Sequence, residues 1–187
     1  MDIILASKSP RRAWLLTCAN VPFHVVVAGV DERRAPNERA AEYCQRLARE
    51  KRDAVVRISQ GAAVLAADTV VVLDEDVLEK PADTADAVSM LTRLSGREHQ
   101  VLTAVAVAAG GRAHHTLVTA RVRFRPLTHL EIQRYVLTGE PMDKAGSYGI
   151  QGEGGALVES MEGSYTAVVG LPLKETLDLL RAVGALP

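Results

Sequence analysis

The chain has 187 residues, 48% of them hydrophobic, and its formal net charge is −1 at pH 7. This length is sufficient for one sizeable hydrophobic core, and the lack of a basic excess argues against polymeric nucleic acid as a partner. The longest apolar runs are too short to span a membrane, and the charges of Asp2 and Arg11 do not suit a signal peptide. We therefore expect a cytoplasmic protein with no membrane partner.

The first half of the chain alternates apolar runs with amphipathic stretches. It predicts strands at 2–6, 23–27 and 62–73, a helix from Pro10, a polar loop at 28–37 and a helix over 38–58. In the first helix, Ser9 is expected to cap the N-terminus, and Trp14, Leu15 and Cys18 are expected to face the core. Cys18 and Cys44 are the only cysteines, and both are predicted to be buried free thiols.

The second half mixes strand and helix signals in the same way. It predicts a turn at 74–76, a helix over 83–94, strands at 100–109 and 113–124, a helix from 128 to 137, a loop over 139–155, a strand at 156–161 and a last helix from 172 to about 183. Asp83 is expected to cap the helix that ends at Leu94, Gly110-Gly111 predicts a hairpin, and Thr128 with Glu131 predicts a capping box. The class is α/β or α+β with a mixed sheet, in a single domain over 1–187.

Two short polar sites interrupt the apolar pattern. Ser7, Ser9, Arg11 and Arg12 lie where a strand leads into a helix N-terminus, a place that favours bound phosphate. The alternative is an ordinary capped helix start, and the P-loop pattern is absent. Asp68 lies within the apolar run 62–73, where a charge is costly unless it is paired or binds a metal. The alternative is an aspartate at a strand end satisfied by backbone groups.

Further candidates are less specific. Lys51, Lys80 and Arg97 lie at segment edges, where lysine is usually a surface residue, although Pro81 stiffens the backbone beside Lys80. His99 is expected to be a structural hydrogen-bonding residue. The glycine-rich stretch 140–152 permits close backbone approach to a ligand, and the amide of Gln151 could read a base edge. A merely flexible loop is the alternative.

Taken together, these segments resemble the Maf family of nucleotide pyrophosphatases, also described as septum-formation-inhibitor proteins. The matching segments are LASKSPRR at 5–12, VDE at 30–32, RLAREK at 46–51, AADTVV at 66–71, EKP at 79–81, LSGREHQVLTAV at 94–105, EPMDKAGSYGIQG at 140–152 and GSYTAVVGLPL at 163–173. They occur in the family's order and cover nearly the whole chain, and no motif position departs from the family pattern.

The resemblance implies an α/β fold with a long curved mixed β-sheet flanked by helices and two lobes around a central cleft. It implies hydrolysis of a nucleoside triphosphate between the α and β phosphates, a divalent cation (Mg²⁺ or Mn²⁺) and a homodimer. The stretch 144–152 is similar to the branch that acts on dTTP and UTP, a house-cleaning activity that prevents misincorporation. The sister branch prefers 7-methyl-GTP.

The resemblance also implies roles for particular residues. Asp68 is expected to be the general base, and Glu32 and Asp68 are expected to bind the metal. The expected phosphate ligands are Ser7, Arg11, Arg12, Lys51 and Lys80. The residues expected to select pyrimidine bases are Arg11, Thr69 and Gln151.

Two other functions stay open at this point. The first is a non-catalytic nucleotide sensor that regulates cell division through a protein partner, as the family's septum-inhibition name suggests. Such a sensor would need the cationic residues but could dispense with the base, so the intact Asp68 and Glu32 favour an enzyme. The second is a phosphatase that releases orthophosphate rather than pyrophosphate.

Overall fold

A computed structural model describes residues 1–27, 29–59 and 61–187. The strands are β1 (Ile3–Leu5), β2 (His24–Val25), β3 (Ala63–Leu73), β4 (Asp76–Leu78), β5 (Glu98–Ala109), β6 (Arg112–Phe124) and β7 (Val158–Glu162). The α-helices are α1 (Pro10–Cys18), α2 (Ala40–Val56), α3 (Thr84–Leu94), α4 (His129–Leu137), α5 (Tyr165–Val169) and α6 (Leu173–Ala182). No helix of the described part of the chain is both long and apolar enough to cross a membrane.

The strands form one mixed sheet in the order β2-β1-β3-β5-β6-β7, with β4 paired to β3. Strand β1 runs parallel to β2 and β3, whereas β4 is antiparallel to β3 and β7 is antiparallel to β6. The predicted mixed α/β class is therefore confirmed. Strand β3 is buried along almost its whole length, which accounts for its near-continuous run of Val, Leu and Ala.

The chain divides into two compact units. The first consists of Met1–Asp68, Thr103–Val118 and Gly170–Pro187, and the second of Thr69–Leu102 and Thr119–Val169. In the first unit, Leu5, Leu16 and Leu47 are almost completely buried. In the second unit, α3 and α4 pack on a core that includes Phe124 and Tyr148.

Several local predictions are confirmed. The side chain of Asp83 accepts a hydrogen bond from the amide of Asp86 (2.8 Å) and so caps α3. Thr128 and Glu131 form the predicted capping box at the start of α4. Gly110 and Gly111 have positive φ values of 57° and 79°, the conformation that a two-residue hairpin turn of type I′ needs at both positions.

The orientation of α1 differs from the prediction. Leu15 and Leu16 are buried, but Trp14 is 51% exposed and Cys18 is also exposed, so the expected buried face was wrong by about one position. Helix α1 has only nine residues, and so short a pattern fixes the helix face poorly. Ser9 does occupy the N-cap, but its side chain does not cap the helix, and its amide donates to Ser7 Oγ (3.2 Å). Cys44 is buried, as predicted.

Two predicted segments, the strand at 23–27 and the loop at 139–155, differ from the prediction in length or in kind of structure. The strand expected at 23–27 is limited to His24–Val25, and Ala28 of the predicted polar loop lies outside the described residues. The stretch 139–155 contains three short 3₁₀ helices, Glu140–Asp143, Ala145–Ser147 and Glu153–Leu157, with Ser147 fully buried. The segment is therefore built largely from short 3₁₀ helices rather than from irregular loop. Helix α5 was not predicted.

Candidate active site

In the first unit, the ammonium group of Lys51 lies between two carboxylates, those of Asp68 and Glu32. Lys51 Nζ donates a hydrogen bond to Asp68 Oδ1 (2.7 Å) and lies 2.8 Å from Glu32 Oε1. The side chains of Lys51 and Asp68 are only 15% and 10% exposed, whereas that of Glu32 is 50% exposed. We call these three residues the Lys51 cluster. It combines a buried acid–lysine pair with a carboxylate that solvent can reach.

The position of Asp68 corrects one alternative from the sequence. Asp68 lies in the middle of β3 rather than at its end, and its side chain is paired with Lys51 rather than only with backbone groups. A buried carboxylate is costly without such a partner. Burial raises the pKa of Asp68 above its ordinary value, although the positive charges of Lys51 and Arg12 oppose the shift. A carboxylate with a raised pKa is a stronger base than an ordinary one.

The predicted phosphate-binding segment lies in the same unit. Ser7 is buried after β1, and its Oγ accepts a hydrogen bond from Arg12 Nη1 (3.1 Å). Arg12 Nε also donates to the carbonyl oxygen of Gly170 (2.8 Å), and its charge acts on both Asp68 and Glu32. Arg11 is half-buried at the start of α1. Arg12 is thus hydrogen-bonded to Ser7, and its charge acts on the two carboxylates of the Lys51 cluster.

Helix α2 organises the segment that carries Glu32. Tyr43 Oη donates to the backbone carbonyl of Glu32 (2.5 Å), and Arg46 pairs with Glu38 (2.6 Å). Arg46 Nη2 also donates to the carbonyl of Arg33 (3.1 Å). Sequence reasoning did not assign these supporting roles. A usable signal existed, because Tyr43 and Lys51 are eight residues apart and so share one helix face.

Cys44 provides a second support for Asp68. Its thiol donates to the backbone carbonyl of Asp68 (3.3 Å) inside the first unit. Burial, with a further contribution from the charge of Asp68, raises the pKa of the Cys44 thiol to about 12. This cysteine therefore stays protonated at neutral pH and packs as a small apolar residue rather than acting as a nucleophile.

The remaining candidates belong to the second unit. Thr69 follows Asp68 in β3 and is half-buried, whereas Lys80 and Gln151 are exposed. Their expected roles stay predictions. His99 is 2% exposed and its Nε2 lies 2.9 Å from Tyr148 Oη, which fits the structural role expected for it. Arg97 pairs with Asp74 (2.8 Å) on the surface.

Asp68 and Glu32 are the carboxylates available to a divalent cation at this site. Among the described residues, no group of three or more His, Cys, Asp or Glu side chains could hold a metal by itself. Asp68 and Glu32, however, converge on one cation, the ammonium of Lys51. Mg²⁺ is often bound by only one or two carboxylates together with substrate phosphates. The pair therefore fits a cation that the substrate helps to bind.

Comparison with known proteins agrees with the resemblance seen in the sequence. Residues 2–183 match the family model described as "Maf-like protein". The chain is 52% identical to the "dTTP/UTP pyrophosphatase" of Pectobacterium atrosepticum over 99% of its length and 94% of that relative. It is 51% identical, with the same coverage, to the "Nucleoside triphosphate pyrophosphatase" of Shigella flexneri. The Staphylococcus aureus Ham1 protein structure aligns over 97% of both chains with 13% identity and a TM-score of 0.48.

Proposed function

The chain belongs to the Maf family, and from this premise we propose that it hydrolyses dTTP and UTP between the α and β phosphates. The products are the nucleoside monophosphate and pyrophosphate, and the role is to remove nucleotides that would be misincorporated. The observation that carries the proposal is the Lys51 cluster, in which the buried carboxylate of Asp68 has a raised pKa and is paired with Lys51, with the charge of Arg12 nearby. Relatives named dTTP/UTP pyrophosphatase over nearly the full length support the choice of substrate.

The cationic residues of the first unit are suited to a triphosphate. Arg12 and Lys51 offer charge-assisted hydrogen bonds to phosphate oxygens, and Ser7 adds a hydroxyl. Lys51 is already paired with two carboxylates, and the charge of Arg12 acts on the same two, so phosphate oxygens would replace or share these partners. Arg11 and Lys80 are proposed as further phosphate ligands.

We assign the activation of water to Asp68. Its Oδ1 accepts from Lys51, so Oδ2 is the oxygen proposed to take a proton from the attacking water. The new bond forms between the water oxygen and the α phosphorus, while the bond from that phosphorus to the bridging oxygen breaks. Pyrophosphate then leaves with the bridging oxygen and its electron pair.

Glu32 and Asp68 are the residues that would hold Mg²⁺ or Mn²⁺. When bound, such an ion screens phosphate charge and lowers the pKa of coordinated water. The exposure of Glu32 makes its carboxylate accessible to an arriving ion, and the hydrogen bond from Tyr43 holds its backbone in place. Lys51 must then loosen at least one of its two ion pairs.

Base selection is proposed for Arg11, Thr69 and Gln151. An amide side chain offers both a donor and an acceptor, which suits the edge of a pyrimidine. Gln151 is exposed, so its amide is not committed to the protein interior. The homodimer, the cytoplasmic location and the single domain over 1–187 also stay predictions, and analytical ultracentrifugation would test the first.

A substrate panel tests the proposed function. Purified protein with Mg²⁺ is given dTTP, UTP, 7-methyl-GTP and the common purine triphosphates, and the product is identified as pyrophosphate or orthophosphate. We expect pyrophosphate, released fastest from dTTP and UTP. Orthophosphate would indicate a phosphatase instead, and binding without any product would indicate a nucleotide sensor.

A further inference from the structure

The exposed Gln151 lies in a tight turn of the second unit. The turn spans residues 149–152 and is closed by a hydrogen bond from the amide of Gly152 to the carbonyl of Gly149 (3.2 Å). Ile150 packs against the hydrophobic core, whereas Gln151 remains exposed. The position of the Gln151 amide therefore depends on how firmly the two ends of this turn are held.

Both ends of the turn are bound to one pair of side chains. Tyr135 Oη donates to Glu140 Oε1 (2.7 Å) and accepts from the amide of Gly149 (3.1 Å), which begins the turn. Glu140 Oε2 accepts from the amide of Glu153 (3.0 Å), and Oε1 accepts from that of Gly154 (3.1 Å), just after the turn. The Glu140–Tyr135 pair thus bridges the two ends of the turn.

The glycines of this segment make room for that pair. A Cβ atom at Gly152 would overlap the carboxylate of Glu140, and one at Gly154 would lie 2.5 Å from Tyr135 Oη. The sequence suggested that this glycine density serves close approach to a ligand. The structure supplies a different reason for Gly152 and Gly154, which is close approach to Glu140 and Tyr135.

We propose that Glu140 and Tyr135 are positioning residues for substrate selection, which hold the 149–152 turn so that Gln151 meets the pyrimidine base. The proposal rests on the base-selecting role given to Gln151 under the proposed function. Neither Glu140 nor Tyr135 needs to touch the nucleotide. Loosening the pair should then reduce discrimination between bases more than turnover in general.

The test compares selectivity among matched variants. Glu140→Gln keeps the shape of the side chain but places an NH₂ group against backbone amides, and Tyr135→Phe removes the hydroxyl that joins the pair to Gly149. The readout is the ratio of kcat/KM for dTTP to kcat/KM for dGTP, together with the melting temperature. Glu131→Gln is the control, because Glu131 also accepts hydrogen bonds from a backbone amide and a hydroxyl, both of Thr128.

We expect the ratio to fall about 5- to 10-fold in Glu140→Gln and Tyr135→Phe, the worth of roughly one hydrogen bond. Gln151→Ala should lower it by a similar factor, and Glu140→Gln combined with Gln151→Ala should lower it no further than Gln151→Ala alone. Glu131→Gln should leave the ratio as in the wild type. A merely structural role would lower activity on both nucleotides equally and leave the ratio unchanged, which would overturn the proposal.

The outcomes separate this proposal from the function on which it rests. A wild-type protein with no preference for dTTP and UTP contradicts the proposed function, and with it the positioning role. If Gln151→Ala changes the ratio while Glu140→Gln and Tyr135→Phe do not, the positioning role is wrong and the function stands. If Glu140→Gln fails to fold, Tyr135→Phe decides in the same way.

Discussion

Two carboxylates, the buried Asp68 in the first unit and the half-buried Glu140 in the second, differ in the groups that hold them. Asp68 is held by the ammonium of Lys51, with the charge of Arg12 nearby. Glu140 is held by a tyrosine hydroxyl and two backbone amides. The first carboxylate is held by a charged side chain, and the second accepts hydrogen bonds from neutral groups.

The pKa shifts follow from this difference. Burial raises the pKa of Asp68, and the nearby cations only partly offset it. Burial also opposes ionisation of Glu140, but the hydrogen bonds from Tyr135 and from the amides of Gly154 and Glu153 outweigh it and lower its pKa. Lone pairs that already accept fixed hydrogen bonds are poor proton acceptors. Asp68 is therefore suited to chemistry, and Glu140 to holding a turn.

The largest expected effect comes from Asp68→Asn, which keeps the size of the side chain and removes its basicity. General-base assistance contributes about 10²–10⁴-fold, so turnover of dTTP should fall by at least that lower factor. Circular dichroism should show an unchanged fold. Pyrophosphate release near the wild-type rate would show that Asp68 is not the general base. The functional difference proposed between Asp68 and Glu140 would then be wrong.

A smaller effect is expected from Lys51→Met, which removes the cation between Asp68 and Glu32. Loss of a charged hydrogen bond predicts a decrease in kcat/KM of about 10- to 100-fold. Without Lys51, the pKa of Asp68 should rise further, so the acidic limb of the pH–rate profile should move to higher pH. Lys174→Met is the control, because it removes an exposed lysine that is also paired with an aspartate. An acidic limb that does not move would show that Lys51 has no influence on the base.

The smallest effect concerns stability in the second unit. Burial lowers the pKa of His99 to about 4, so between about pH 6.5 and 4 the unfolded chain binds a proton that the folded chain does not. The free energy of unfolding should therefore fall on acidification, by about 1 kcal/mol from pH 7 to 5.5 through His99. Urea unfolding of His99→Gln should lack this contribution. If the free energy of unfolding decreases equally in the wild type and in His99→Gln, the contribution assigned to His99 is wrong.

Local signals in the sequence predicted much of the fold. The Asp83 cap, the Thr128–Glu131 capping box and the Gly110-Gly111 hairpin each depend on residues within a few positions, and all are present. Trp14 was misplaced because a nine-residue helix has too few apolar positions to define its buried face.

The candidate site was predicted less completely, for a physical reason. An ionisable residue in an apolar strand can be recognised without its partner, so Asp68 could be selected from the sequence. Its pairing with Lys51 joins residues 17 positions apart. The hydrogen bond of Tyr43 to the Glu32 backbone likewise depends on how the chain folds back. The Glu140–Tyr135 pair was missed because its partners are mostly backbone amides, and because the glycines at 152 and 154, which make room for it, were interpreted as room for a ligand.

The central claim is that water attacks the α phosphorus of the triphosphate. It is tested most directly by finding which product contains the oxygen that comes from water. The protein is allowed to hydrolyse dTTP in water enriched in a heavy oxygen isotope, and mass spectrometry locates the label. Attack at the α phosphorus predicts that the label appears in dTMP and that the pyrophosphate is unlabelled. Label in the pyrophosphate would mean attack at the β phosphorus, and it would contradict the mechanism built on Asp68.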